Sequence, residues 1–338
     1  MSKAILELPQ IIEALSRPEA YPERPPAVQV IETHISVVFL LGQHVYKIKK
    51  PVDLGFLDFS TLEKRKFYCH EEVRLNRRLS PDVYFGVVPI SRRDGSLAVG
   101  GQGEVVEYAV KMRQLPADRI MDRLLEQDKI TPEMMERLAA KIAAFHQAAE
   151  TSPEIAQFGS KEINLKNCQE NFDQTKKYLG AALPESDFEK IKAFSYRFVE
   201  ENSPLFDKRM RQDRVRDCHG DLHTQHVCFA DNIYVFDCIE FNDRFRFSDV
   251  AREVAFLAMD LDFHGRQDLA KHFIDSYEKV TGDIEMGCLL AFYKSYLAYV
   301  RGKVTAFRLD EPRLAKDEAQ RLKEVARRYF DLALSYAN

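Results

Sequence analysis

The sequence has little excess charge of either sign and lacks a long apolar run. Its 338 residues include 49 lysines and arginines against 53 aspartates and glutamates, a formal net charge of −4. A nucleic-acid-binding protein usually carries a strong basic excess, so this balance argues against that class. Apolar runs such as Val37 to Leu41 are far shorter than the roughly 18 residues that a membrane-spanning helix needs. We therefore expect neither a nucleic-acid partner nor a membrane partner.

Cysteine is sparse, and the six cysteines do not form a disulfide pattern in a chain of this length. They are Cys69, Cys168, Cys218, Cys228, Cys238 and Cys288. Glu7 and Pro9 interrupt the N-terminal segment where a signal peptide would be apolar. With 45% hydrophobic and 30% charged residues, the composition predicts a globular protein of the cytoplasm.

Several catalytic motifs are also missing. The chain contains no G-x-x-x-x-G-K-[ST] phosphate loop, no G-x-S-x-G of serine hydrolases and no C-x-x-C pair. The stretch from His70 to Arg74 begins like an H-E-x-x-H zinc motif but lacks the second histidine. The chemistry must therefore be sought in other residues.

The N-terminal part predicts a sheet of about five strands interrupted by one helix. Strands are expected at 28–33, 35–41, 44–49, 84–90 and 104–112, with a further short strand before a glycine-rich hairpin turn at Gly100 to Gly103. Gly42-Gln43 forms the turn before the third strand. Ser60 is the expected N-cap of the helix, with Glu63 completing a capping box.

From Leu115-Pro116 onward, helical spacing of apolar residues dominates. One β-hairpin, Val227 to Asp237 with its turn at Asp231-Asn232, lies among these helices. We therefore predict an α+β protein with a sheet-rich N-terminal lobe at residues 1–115 and a larger helical lobe at residues 116–338. Catalytic side chains are expected on the hairpin, since turns present side chains to a cleft.

The segment from Asp217 to Glu240 carries the strongest chemical signal. His219-Gly220-Asp221 precedes one hairpin strand, and Asp237 follows the other. Two carboxylates at one end of a hairpin repel each other unless a cation or a proton lies between them. A divalent metal with phosphate oxygens meets that need, with Asp221 accepting a hydroxyl proton and Asp237 holding the metal. Alternatively, Asp221 is a turn former and Asp237 a cap.

These residues resemble a known family. His219 to His223, followed by Ile233-Tyr-Val-Phe-Asp237 and Glu240, is similar to the catalytic and metal loops of the aminoglycoside phosphotransferase-like kinases. This family includes choline and fructosamine kinase relatives. The stretches 237–246 and 249–262 resemble an uncharacterised bacterial subgroup that is often fused to a P-loop ATPase domain. Without a phosphate loop, this chain is expected to be a stand-alone version.

The resemblance covers nearly the whole chain and implies a protein-kinase-like two-lobed fold. It implies transfer of the γ-phosphoryl group of ATP to a hydroxyl of a small molecule, with Mg²⁺ as the metal. Asp221, with His219, matches the catalytic loop, and Asp237 matches the Mg²⁺ ligand. His226 lies where the family usually has a metal-binding Asn, and imidazole is a poorer ligand for Mg²⁺. A catalytically impaired pseudokinase or nucleotide-binding regulatory module is therefore the alternative.

The resemblance also implies a nucleotide site in the N-terminal lobe. Lys47 is the preferred phosphate-binding lysine, and Lys49, on the same face of the strand, is the second choice. Glu72 is the expected partner of the lysine, with Glu71 left open. Met112 belongs to the segment that would bind the adenine, and the Gly42-Gln43 turn would cover the phosphates with a single glycine.

Other assignments remain open at this stage. A zinc site could use His219, His223 and His226 with one or more of Cys218, Cys228 and Cys238. Glu240 and Asn242 follow the metal loop and are expected near the cleft, whereas Asp249 is expected to cap a helix. Neither the acceptor nor the choice between ATP and GTP follows from these residues. Residues 164–216 are the expected acceptor region, and they carry no motif.

Overall fold

The computed structural model describes residues 7–311 and 314–337, which divide into two compact units. The first unit is drawn from residues 1–120 and 226–243, and the second from residues 121–225 and 244–338. The residues expected to form the metal loop thus group with the N-terminal unit, whereas the sequence analysis counted them with the C-terminal lobe. The division into lobes at Leu115-Pro116 stays a prediction.

The chain forms both strands and helices, as predicted for an α+β protein. The strands are β1 (Gln29–Glu32), β2 (Ser36–Leu40), β3 (His44–Lys49), β4 (Tyr84–Arg93), β5 (Ser96–Val99), β6 (Glu104–Arg113), β7 (Val215–Asp217), β8 (Val227–Phe229), β9 (Ile233–Val235) and β10 (Phe247–Asp249). The helices are α1 (Leu8–Leu15), α2 (Leu62–Asn76), α3 (Met121–Glu126), α4 (Pro132–Ala148), α5 (Pro153–Ala156), α6 (Lys161–Thr175), α7 (Glu185–Glu201), α8 (Ser203–Arg211), α9 (Asp243–Arg246), α10 (Val250–Phe263), α11 (Gln267–Thr281), α12 (Gly287–Phe307) and α13 (Lys316–Tyr336).

Within residues 7–311, the first unit contains a six-stranded antiparallel sheet in the order β1-β2-β3-β6-β4-β5. Side chains of β3 alternate between its faces, as the period of a strand requires. Tyr46 and Ile48 join a core cluster with α1 on one face, and Val45 packs with α2 residues on the other. Lys47 and Lys49 share this second face, which directs both lysines toward α2.

The glycine-rich segment Gly100–Gly103 is not a hairpin turn, contrary to the prediction. β5 and β6 both pair with β4, on its opposite edges, so the segment connects strands that are not neighbours. Gly103 has a φ of 139°, and a Cβ there would lie 2.4 Å from the Arg92 carbonyl oxygen. The close backbone approach, rather than a tight turn, therefore requires glycine.

Helix α2 begins one residue later than predicted. Its N-cap is Thr61, whose hydroxyl accepts a hydrogen bond from the Lys64 amide, and not Ser60. Ser60 instead donates its amide and its hydroxyl to Asp58. Because the Ser60 amide and hydroxyl are engaged with Asp58, Thr61 rather than Ser60 caps the helix.

The second unit is mainly helical, with most residues of α10 buried. Asp249 caps α10 by accepting a hydrogen bond from the Ala251 amide, which confirms its predicted structural role. The short pairing of β7 with β10 in this unit was not predicted from the sequence. The helices within the described ranges are too short or too polar to cross a bilayer.

Candidate active site

A chain of ion pairs in the first unit joins β3, α2 and the segment after β9. Glu72 lies between the two lysines of β3: its Oε1 is 2.9 Å from Lys47 Nζ, and its Oε2 is 2.8 Å from Lys49 Nζ. Each lysine has a further carboxylate partner. Lys47 Nζ lies 2.5 Å from Asp237 Oδ1, and Lys49 binds Glu240. Positive and negative groups therefore alternate from Asp237 to Glu240.

The segment that carries Asp237 is held by hydrogen bonds to α2 and its neighbours. The Asp237 amide donates to the Tyr84 hydroxyl at 3.1 Å, and the Cys238 amide donates to Asn76 Oδ1 at 2.9 Å. Ser80 bonds both the amide and the carbonyl of Val235. Asp237 itself has a φ of 61°, in the left-handed region that is uncommon for residues other than glycine. The backbone is thus fixed in an unfavourable conformation at the residue expected to bind metal.

The charges in this chain stabilise one another. Burial would lower the pKa of Lys47, but Asp237 and Glu72 together raise it well above its ordinary value. Burial would raise the pKa of Glu72, yet Lys47 and Lys49 hold it below the ordinary range. For Glu240, burial prevails over the attraction of Lys49, and its pKa is raised. Both lysines therefore remain cationic at neutral pH.

Exposure distinguishes the two lysines that the sequence left as alternatives. The side chain of Lys49 is 1% exposed, and that of its partner Glu240 is 5% exposed. The side chain of Lys47 is 13% exposed, and that of its partner Asp237 is 43% exposed. A solute can reach the Lys47–Asp237 pair more readily than the Lys49–Glu240 pair. The geometry thus favours Lys47 as the lysine that meets a ligand.

The choice between neighbouring glutamates is equally clear in the geometry. Glu72 is fully buried and contacts both lysines. Glu71 is partly exposed and pairs with Arg74 on the same helix. One residue along a helix turns the side chain by about 100°, so only one of two adjacent residues faces the sheet.

His226 lies beside Asp237, and the metal-binding role of the two residues stays a prediction. Its Nε2 is 3.7 Å from Asp237 Oδ2, whereas Lys47 contacts the other carboxylate oxygen. The Asp237 carboxylate, a hard oxygen donor that is partly exposed, fits Mg²⁺. The imidazole fits Mg²⁺ less well, so the nucleotide phosphates would have to supply more of the oxygen ligands.

The proposed nucleotide-binding segments are already engaged in hydrogen bonds. Met112 is buried in the core cluster with Val45, and the Gln114 amide donates to the Gln43 carbonyl at 2.8 Å. The Gly42 amide donates to Gln114 Oε1 at 2.9 Å. The Gly42-Gln43 turn is therefore fixed to the end of β6, and the roles of Met112 and Gly42 toward a nucleotide stay predictions.

In the second unit, the backbone of the expected catalytic loop is held by a buried carboxylate. The amides of His219 and Gly220 both donate to Glu253 Oε1 at 2.7 Å. Glu253 Oε2 lies 2.7 Å from His146 Nε2, and His146 Nδ1 lies 2.7 Å from the Tyr277 hydroxyl. Burial would raise the pKa of Glu253, but His146 and His219 hold it below its ordinary value. An ionised acceptor thus fixes the turn that precedes Asp221.

Asp221 is partly exposed and lies close to histidine. Its Oδ2 is 3.5 Å from Nε2 of the buried His223. A second buried acid, Asp260, fixes the following residues by accepting bonds from the amide and hydroxyl of Thr224, at 2.9 and 2.6 Å. The predicted meeting of Asp221 with Asp237 stays a prediction.

The hydrogen bonds by which Glu253 and Asp260 hold the backbone around Asp221 were not predicted from the sequence. Both lie in α10, whose sequence is otherwise mostly apolar. Acidic residues are almost never fully buried unless they are paired, so acids within an apolar helix were the available signal. Their partners could not be named from sequence.

The thiols of the zinc alternative are better described as core residues. Cys228 packs in a core cluster with Tyr234, and burial raises the pKa of its thiol to about 11. Cys218 is also buried and lies near His146 and Glu253, whose hydrogen bonds are already made. Buried cysteines of this kind are typically structural, which favours the core interpretation of Cys228.

Comparisons with known proteins identify the family of this chain. A model of the phosphotransferase enzyme family matches residues 66–290. An uncharacterised protein of Mycobacterium tuberculosis strain H37Rv is 32% identical over 300 residues, which cover 88% of this chain and 59% of that protein. The chain therefore spans about three fifths of the length of the curated relatives it matches. That members of the resembled subgroup are often fused to a P-loop ATPase domain stays a prediction.

Solved structures show the fold. A choline/ethanolamine kinase family protein from Mesorhizobium loti has a TM-score of 0.52 at 12% identity, over 97% of this chain and 98% of that one. An amicoumacin kinase in complex with AMP-PNP, Ca²⁺ and Ami has a TM-score of 0.56 at 12% identity, over 97% of this chain and 94% of that one. The predicted protein-kinase-like two-lobed fold is thus confirmed.

Proposed function

Because the chain belongs to the phosphotransferase enzyme family, we propose that it transfers the γ-phosphoryl group of ATP to a hydroxyl of a small molecule. The observation that carries this proposal is the Glu72–Lys47–Asp237 ion-pair chain. It combines a cation that can hold phosphate oxygens with a partly exposed carboxylate that can hold a metal. Phosphoryl transfer depends mainly on such positioning and charge neutralisation.

In this function Lys47 binds the α- and β-phosphates, and Glu72 keeps the lysine extended toward them. Asp237, with His226 beside it, would hold Mg²⁺, which supplies charge neutralisation at the phosphates. Lys47 then exchanges its contact with Asp237 for contacts with phosphate oxygens. This exchange keeps the ammonium paired with a negative group in both states.

Asp221 is the proposed base of the reaction. It accepts the proton of the acceptor hydroxyl as the hydroxyl oxygen bonds to the γ-phosphorus, and the bond to the β-phosphate oxygen breaks to release ADP. Glu253 contributes by fixing the amides of His219 and Gly220. We place the protein in the cytoplasm, where ATP is abundant.

A nucleotide-binding module without turnover is the second candidate. His226 favours it, because a nitrogen ligand lies next to Asp237 where the family usually has an amide oxygen. In that case nucleotide binds through Lys47 and Asp237, but phosphoryl transfer is weak. The two candidates differ in turnover and not in binding.

Nucleotide binding is tested with Asp237→Asn, using calorimetry with AMP-PNP in the presence and absence of Mg²⁺. We expect the substitution to lower the Mg²⁺-dependent part of the affinity about tenfold or more, because the negative charge of the carboxylate ligand is lost and only a neutral amide oxygen remains. Asp231→Asn is the matched control, since Asp231 is an exposed turn residue of the same hairpin that pairs with Arg113. Repeating the titration with GMP-PNP determines the preferred base.

Turnover is tested with Asp221→Asn, using release of ADP from ATP with water and a panel of small alcohols as acceptors. The enzyme reading predicts that turnover falls about 10²–10⁴-fold while nucleotide affinity is retained. Binding without turnover in the wild type and in the variant favours the module. Absence of Mg²⁺-dependent nucleotide binding in the wild type contradicts both.

A further inference from the structure

Two lysines of β3 share the same buried glutamate, although phosphate binding needs only one of them. Glu72 offers one oxygen to Lys47 and the other to Lys49, at nearly equal distances of 2.9 and 2.8 Å. The lysines differ in their remaining partners. Lys47 reaches the partly exposed Asp237, whereas Lys49 reaches the buried Glu240.

The surroundings of Lys49 leave it little opportunity to bind a solute. Its ammonium lies between Glu72 and Glu240 and is 4.8 Å from the centre of the Phe59 ring. A cation over an aromatic face, with two carboxylates beside it, has its charge fully compensated inside the protein. Lys49 is thus a fixed internal cation rather than a second phosphate ligand.

Glu72 needs such a fixed cation if Lys47 is to exchange partners. When Lys47 moves from Asp237 to the phosphates, its ion pair with Glu72 can lengthen. The loss of its counter-ion would strongly destabilise a fully buried carboxylate. Lys49 keeps Glu72 compensated throughout. Glu240 in turn compensates part of the charge of Lys49, so that Glu72 keeps its contacts with both lysines.

Glu240 also fixes the far end of the proposed metal loop. Glu240 follows Asp237 by three residues. Its ion pair with Lys49 connects this end of the loop to β3, the strand to which Asp237 is already connected through Lys47. Both ends of the short loop are therefore connected to β3 by lysines two residues apart. This arrangement fixes the loop before a ligand binds.

We propose that Lys49 and Glu240 are positioning residues that act as permanent counter-ions. They hold Glu72 and the loop from Asp237 to Glu240, and thereby leave Lys47 free to exchange Asp237 for nucleotide phosphate. This inference rests on the proposed function. It assigns Lys49 a role different from the direct nucleotide contact considered in the sequence analysis.

The test measures two properties of each variant: AMP-PNP affinity with Mg²⁺, by calorimetry well below the unfolding temperature, and the thermal midpoint. The variants are Lys49→Met, Glu240→Gln and the double variant, and the control is Lys50→Met. Lys50 is the adjacent residue and pairs with the exposed Glu32, so its loss alters charge but not the buried chain.

We expect Lys49→Met to weaken AMP-PNP binding about tenfold or more, because Lys47 becomes the sole counter-ion of Glu72. Glu240→Gln should weaken it less, and Lys50→Met should leave it within about twofold. The double variant removes one charge of each sign, so its thermal midpoint should recover above that of Lys49→Met while the affinity stays low. A purely structural role would restore affinity together with stability.

The outcomes separate the inference from the proposed function. If the wild type binds AMP-PNP but Lys49→Met and the double variant bind it with unchanged affinity, the positioning role is wrong and the proposed function stands. If the wild type does not bind, both are wrong. Should Lys49→Met not fold, Glu240→Gln decides, since unchanged affinity in that variant overturns the role of the pair.

Discussion

Replacing Glu72 with glutamine is the sharpest test of the buried ion-pair chain. Glu72 is fully buried, and each of its oxygens faces a lysine ammonium at under 3 Å. Glutamine has the same shape but presents an NH₂ group where one of these oxygens was, so a donor faces a cation. Removing one partner of a buried ion pair costs about 3–5 kcal/mol. Since whole domains are stable by about 5–15 kcal/mol, this loss is a large fraction.

Glu71→Gln provides the matched control because the same change is made one residue earlier. Glu71 pairs with Arg74 on the partly exposed face of α2, where such pairs contribute about 0–1 kcal/mol. The chain contains no tryptophan, so urea unfolding is followed by far-ultraviolet circular dichroism and tyrosine signals. Equal unfolding midpoints for the two variants would refute the reasoning.

The difference in the free energy of unfolding between the wild type and Glu72→Gln should depend on pH, with a definite sign. The pKa of Glu72 is lowered in the folded protein by Lys47 and Lys49, which more than offset burial. Its contribution to the free energy of unfolding is therefore present above the ordinary carboxyl pKa and is lost as pH falls through the folded-state value. The gap between the wild type and Glu72→Gln should narrow on acidification, and a gap that widens would contradict the assignment.

Two further predictions concern the second unit. Glu253→Gln should lower turnover about tenfold while leaving AMP-PNP affinity nearly unchanged, because it loosens the amides before Asp221 but touches no proposed nucleotide ligand. Steady-state kinetics and calorimetry measure the two quantities. A loss of affinity that matches the loss of turnover would contradict this role of Glu253. Lys303 is buried and bonded to the amide oxygens of Asn171 and Gln174, and burial lowers its pKa to about 8. The NMR signal of its ε-carbon, identified with the Lys303→Gln variant, should titrate near that pH. The contribution of Lys303 to the free energy of unfolding should rise as pH increases from about 8 toward the ordinary pKa of 10.5. A signal that titrates only near the ordinary pKa would refute this prediction.

Much of the fold follows from short-range patterns in the sequence. The alternation in His44–Lys49 predicted that Lys47 and Lys49 share a face, and the structure confirms this. The hairpin around Asp231-Asn232 was predicted from its turn residues and is also confirmed. Such features depend on neighbours within a few residues, so the local chemistry is sufficient to specify them.

The pairing of strands was less accessible. β6 lies between β3 and β4, and the glycine-rich segment before it is a connection between strands that are not neighbours. The order of strands depends on which edge of the sheet a later strand pairs with. The turn residues next to that strand do not determine this choice. The N-cap of α2 was misplaced by one residue for a similar reason, since Asp58 engages Ser60 and leaves Thr61 to cap.

The sequence alone therefore determined the strands of the first unit, the hairpin and the acidic residues of the family motif. Only the tertiary structure decided that Glu72 rather than Glu71 faces the lysines, that Lys49 is enclosed by Glu240, and that Glu253 holds the loop before Asp221. These contacts join residues as far as 191 positions apart. Whether a charged side chain is exposed or buried against a partner depends on that distant partner, and burial is what turns a common surface charge into part of a site.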